Sequence, residues 1–183
     1  ESHYSKDTQS DYVGALCTRV KSLTNGIYGS VFCAEDALSD AELFDCNVVV
    51  DLSRVGSMET KSLLMGILVM KLQEYRMCGS EMNSRLRHVT VLEEAHNLLR
   101  KTSAEQSQEG ANLQGKSVEM LANAIAEMRT YGEGFIIADQ APGLLDMSVI
   151  RNTNTKIILR LPDEEDRKLV GKSAALKEAQ IDE

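Results

Sequence analysis

Two adjacent carboxylates, Glu93 and Glu94, follow the apolar run Val89-Thr90-Val91-Leu92 and are followed in turn by Ala95-His96. An acid pair at the end of a strand suits phosphoryl transfer. One carboxylate orients the hydration shell of a magnesium ion, and the second positions or deprotonates the water that attacks a γ-phosphate. Glu93 takes the first role and Glu94 the second. The long glutamate side chain sets the Glu93 carboxylate far from the backbone, so a contact with the metal through water is expected. The competing explanation is a solvated helix N-terminus, where the helix dipole favours acids. Asp51 and Gln140 stand at the ends of two other apolar runs, Val48–Leu52 and Gly134–Ala138. In an open α/β sheet the active crevice lies beyond the carboxyl ends of the strands, so all four residues should converge there. Asp51 is expected to cap the loop that follows it rather than to join the magnesium shell. His96 has no second ligand at helical spacing and is expected to cap or pack beside the acids rather than bind metal.

These groups need a scaffold, and the hydrophobic periodicity supplies one. Tyr12, Leu16, Val20 and Leu23 recur at the helical period and stop at Thr24-Asn25-Gly26. Ile27–Phe32 alternates loosely and predicts a short edge strand. Cys46–Leu52 is a β-branched run without alternation, as expected of a strand buried on both faces. Ser57 caps a helix running to about Met77, and Arg87–Leu92 forms a strand that leads into the acid pair. Residues 100–116 are rich in Ser, Gln, Glu and Gly and predict a mobile loop or lid. Ser117 then caps a helix ending at Tyr131-Gly132. Strands are expected at 134–140 and 155–161, with a helical turn near Met147–Ile150 between them and an acidic helix after Pro162. The alternation predicts an α/β domain with a mostly parallel sheet and helices on both faces.

With 183 residues and 43% hydrophobic composition, the chain is long enough for one core and reads as a single domain. The formal net charge of −8 argues against holding nucleic acid by broad phosphate neutralisation. A ring motor escapes that objection, because basic loops around a pore can grip DNA while the outer surface stays acidic. No apolar run reaches the roughly 18 residues of a membrane span, and the first residues lack a signal-peptide pattern, so a cytoplasmic protein is expected. Cys17, Cys33, Cys46 and Cys78 show no metal-ligand spacing and are expected to be reduced core thiols. The chain begins with Glu1 and runs quickly into a helical pattern, which suggests a piece of something longer.

The segments Val48–Arg54, Thr90–Leu99, Ala126–Gly134, Ile137–Pro142 and Asn152–Leu161, in that order, resemble the successive motifs of HerA/FtsK-like P-loop ATPases. The resemblance spans about residues 45–170 and is close also to conjugative secretion ATPases. It implies a partial RecA-like core in which Glu93 and Glu94 form the Walker B acids, with ATP and Mg2+ bound. Gln140 is then the sensor whose amide reads the γ-phosphate, and Arg129 is a basic residue presented to the neighbouring subunit's nucleotide. Arg160 and Arg151 are weaker candidates for the same work in trans. The implied partners are further copies of the chain in a hexameric ring, double-stranded DNA, and a nuclease.

No GxxxxGK[ST] segment follows an apolar strand, as a phosphate-binding loop requires. Gly110 to Ser117 has that spacing of residues but comes after a polar run, and Gly171-Lys172-Ser173 lacks the earlier glycine. In the family that loop lies ahead of the region matching Glu1, so the isolated chain should bind MgATP poorly and hydrolyse none. A degenerate scaffold that never hydrolyses nucleotide is the alternative from a different class.

Overall fold

The computed structural model describes residues 6–101 and 108–181. The chain divides into two compact units, residues 1–43 and 44–183. In the first, α1 (Lys6–Leu23) is followed by α2 (Gly26–Phe32). The stop between them is local: Thr24 Oγ1 donates to the Lys21 carbonyl at 3.0 Å, and Gly26 takes a positive φ of 61°. The edge strand expected at Ile27–Phe32 is therefore a helix. Its loose alternation carried no real period-2 signal, and both Gly26 and Gly29 fit the tight entry, where a Cβ on Gly29 would meet the Thr24 carbonyl oxygen at 2.4 Å. Tyr12, Leu16 and Val20 on α1 are exposed. A short helix α3 (Asp40–Phe44) crosses the boundary between units and opens on a capping box, in which Ser39 N–H donates to Glu42 at 2.9 Å and Glu42 N–H to Ser39 Oγ at 3.3 Å.

The second unit is mixed α/β, with α4 (Met58–Gly79), β1 (His88–Glu93), α5 (Gln108–Met128), β2 (Glu133–Ala138), α6 (Met147–Asn152), α7 (Glu164–Ser173) and α8 (Glu178–Ile181). The cap on α4 is Ser57, as its type and position predict, accepting from Thr60 N–H at 3.4 Å. Strands β1 and β2 pair in parallel with Glu93 opposite Ala138, and α5 carries the chain between them. This βαβ unit is the part of the expected parallel sheet that forms among the described residues.

Side chains in register share a face of a parallel pair. On one face His88, Thr90, Leu92, Glu133, Phe135 and Ile137 are buried or half-buried, and Arg76 of α4 reaches Glu133 there. The other carries Val89, Val91 and Ile136, all exposed, and no helix covers it among the described residues. The core lies between α4 and α5 and beneath the segment after β1, where Val69, Leu72, Leu98, Leu99, Ala122 and Met128 are buried. Burying that much apolar surface, at about 25 cal/mol per Å2, is what pins the segment after β1 to the helical layer.

A buried polar network closes the amino end of the strand pair. Glu133 accepts from Arg76 Nε at 2.9 Å and from Thr90 Oγ1 at 2.7 Å, and lies 2.8 Å from His88 Nδ1. Arg76 continues to Asp45 at 2.6 Å and to the Phe44 carbonyl at 2.5 Å. Gly132, just ahead of β2, has φ of 83°, and a Cβ there would meet the Arg85 carbonyl oxygen at 2.5 Å. Only glycine fits that close approach.

Two expected strands do not form. Residues 46–52 and 155–161 lie outside helix and strand, with Val49 93% and Ile157 88% exposed. Their β-branched composition favours strands, but a strand needs a ladder partner, and neither segment has one among the described residues. The parallel sheet flanked by helices is therefore present as a two-stranded pair. The loop anticipated at 100–116 is also shorter: α5 already begins at Gln108, because Gln, Glu, Ala, Leu and Lys are good helix formers that outweigh two glycines, while 102–107 lie outside the described residues. All four cysteines are free and exposed, so they are not core residues as their apolar neighbours suggested.

Candidate functional site

The acid pair owes its position to its neighbours. Leu92 and Ala95 are buried on either side of it, and Leu98 and Leu99 anchor the following turn in the core, which leaves Glu93 and Glu94 exposed. To pass from β1 into the short 3-10 turn Ala95–Asn97, Glu94 adopts a left-handed conformation with φ 48° and ψ 48°. That conformation disfavours residues with a Cβ and costs of order 1 kcal/mol, a kind of strain found preferentially at functional sites. The turn is held by the Glu94 carbonyl, which accepts Asn97 N–H at 2.9 Å, and Asn97 Nδ2 reaches the Glu94 carboxylate at 3.3 Å. Asn97 Oδ1 is buried without a partner.

The loop after β2 is laced to this turn. The Asp139 carboxylate accepts His96 N–H at 2.8 Å and Ala141 N–H at 2.9 Å, and lies 2.9 Å from His96 Nδ1. Farther along, Lys101 N–H donates to the Leu144 carbonyl at 2.9 Å and Asp146 N–H to the Leu99 carbonyl at 2.8 Å. Gln140 is exposed one residue beyond Asp139. Because Glu93 stands opposite Ala138, the residues just past each strand, Glu94 and the Asp139-Gln140 pair, occupy the same end of the sheet. Glu93, Glu94 and Gln140 thus stand at one end of the strand pair.

The other candidates stand elsewhere. Arg129 is exposed in the 3-10 turn before β2, at the amino end of the sheet. A six-residue strand spans roughly 20 Å, so within one chain Arg129 cannot reach the acids. Arg160 is exposed in the segment 155–161, and Arg151 is exposed in the last turn of α6. Asp51 is the loop cap expected of it, with its Oδ1 taking Ser53 N–H at 2.8 Å, a bond that holds its carboxyl below the usual range. Gly171–Ser173 ends α7 and Gly115–Ser117 lies within α5, so neither forms a phosphate-cradling loop.

Among the described residues no cluster of three or more His, Cys, Asp or Glu side chains could hold a metal ion. His96 keeps its expected place as a packing partner of the turn, but its fixed contact with Asp139 was not legible from spacing. Asp139 was also missed, although it directly precedes Gln140; an acid at that point in a strand-end segment was the available signal. Among the described residues no helix is long and apolar enough to cross a membrane. No family model, curated protein or solved structure matches the chain.

Proposed function

We propose that this chain is the rear part of a RecA-like ATPase core, and that the intact protein is a HerA-like motor coupling ATP hydrolysis to movement of double-stranded DNA. The observation that carries the reading is the strained, outward-facing Glu94 at the carboxyl end of β1, with Gln140 at the same end of the parallel neighbour. The bare sheet face and the two unpaired apolar segments, 46–52 and 155–161, agree with a core that is completed by further structure.

In this reading water attacks the γ-phosphorus in line with the departing ADP oxygen, and the Glu94 carboxylate takes one water proton. Gln140 donates its amide N–H to a γ-phosphate oxygen. Magnesium, when bound, neutralises phosphate charge, and Glu93 would hold it through water. Arg129, at the opposite end of the sheet from Glu94, acts on the nucleotide of an adjacent subunit in a hexameric ring, where its planar fork meets charge in the transition state. The reaction also needs a phosphate cradle and its lysine, which the described elements do not form.

The test is MgATP turnover by a protein extended upstream through a GxxxxGK[ST] loop, with and without double-stranded DNA. Turnover that rises with DNA supports the motor. Absence of turnover under both conditions would favour a non-hydrolysing scaffold.

A further inference from the structure

One polar pair beside the acids has no task in that scheme. The Asp139 carboxylate is only 3% exposed, and two backbone N–H groups, of His96 and Ala141, already satisfy it. It still fixes the imidazole of His96 through Nδ1 at 2.9 Å. A carboxylate only accepts, so Nδ1 carries a proton, and in the neutral ring the lone pair is on Nε2. Nε2 has no partner among the described residues, and the His96 side chain is 22% exposed, so the ring is oriented but not sealed. His96 stands two residues beyond Glu94 and is bonded to the residue before Gln140, at the same end of the strand pair.

We propose that His96 is a second water-holding group, with Nε2 accepting one hydrogen bond from the attacking water while the Glu94 carboxylate accepts the other. The inference rests on the ATPase reading. A single carboxylate contact leaves a water free to swivel, and the Glu94 carboxylate is itself exposed and held at 3.3 Å by Asn97. Two acceptors fix both O–H directions and so aim the remaining lone pair. The oxygen–phosphorus bond then forms as the bond from phosphorus to the bridging oxygen breaks, with that electron pair leaving on ADP. One water proton passes to Glu94. The other stays on the new phosphate oxygen, hydrogen-bonded to Nε2. Asp139 is the positioning residue that sets the tautomer.

Two measurements test this. In the upstream-extended protein, His96→Asn keeps an N–H near the place of Nδ1 for Asp139 but removes Nε2, whereas His96→Ala removes both. The expected result is a kcat lowered about 100-fold in both variants with KM nearly unchanged. Recovery of wild-type kcat by His96→Asn would mean that His96 only braces the turn, and would overturn the proposal while leaving the ATPase reading in place. No turnover in the wild type would overturn both. Independently of activity, nitrogen NMR of the 183-residue chain, which has three histidines, should show neutral His96 as the Nδ1–H tautomer, shifting toward Nε2–H in Asp139→Asn. An Nε2–H tautomer in the unsubstituted chain would refute the inference.

Discussion

Replacing Arg76 with alanine should cost the second unit about 3–5 kcal/mol, because it strands a buried charge. The Glu133 side chain is fully buried, and Arg76 is its cationic partner at 2.9 Å; Thr90 and the His88 ring remain in contact but supply no fixed charge. The same substitution also frees the Phe44 carbonyl and half-exposed Asp45. Burial works against the guanidinium's charge, but its bonds to Asp45 and Glu133 outweigh that penalty and hold its pKa above the ordinary value. Domains are stable by only about 5–15 kcal/mol, so the loss is a large fraction of the whole. With no tryptophan in the chain, unfolding is best followed by far-ultraviolet circular dichroism in urea. A slope of about 2 kcal/mol per molar would convert the loss into a midpoint lower by roughly 2 M. Adding Glu133→Leu to Arg76→Met should cost clearly less than the sum of the two single changes, since together they remove both charges. A cost below about 1 kcal/mol for Arg76→Ala, or strict additivity in the pair, would refute this reasoning.

Acid should weaken the same network through Asp45. Hydrogen bonds from Tyr75 and then Arg76 lower its pKa from the ordinary 3.8, so its contribution is present above that pH and is lost as pH falls through the lower folded value. Asp45→Asn should flatten this part of the acid limb in a pH series of urea midpoints. Gly132→Ala should destabilise by about 1–3 kcal/mol, since φ of 83° and the nearby Arg85 carbonyl both oppose a Cβ, and thermal unfolding would register it. Glu94→Gly should leave stability unchanged or raise it by up to about 1 kcal/mol while abolishing catalysis in the extended protein, because it relieves φ of 48° but deletes the carboxylate. A marked loss of stability in Glu94→Gly would contradict the strain assignment.

What the sequence made legible was local. The periodicity of Leu63, Leu64, Ile67 and Leu68 and the Ser57 cap lead directly to α4, and the run ending in Glu93-Glu94 leads to β1. The parallel pairing that joins Glu94 to Gln140 follows from βαβ alternation. Strand composition misled at 46–52 and 155–161, because Val, Ile and Thr report a preference for pleated surfaces and cannot supply the partner that makes a ladder. Apolar neighbours misled at the cysteines, where exposure depends on what packs against each segment and not on its composition. The Asp139–His96 contact joins residues 43 positions apart, and the Arg76–Glu133 pair 57. Contacts at such separations depend on strand register and helix placement, which no local pattern encodes.

The central claim is that Glu94 directs hydrolysis of a bound nucleotide. The most direct test compares wild type with Glu94→Gln in the upstream-extended protein, measuring MgATP binding and turnover in parallel in the presence of double-stranded DNA. The substitution is expected to leave nucleotide binding nearly unchanged and to lower turnover at least about 100-fold. Equal turnover in the two proteins would contradict the claim.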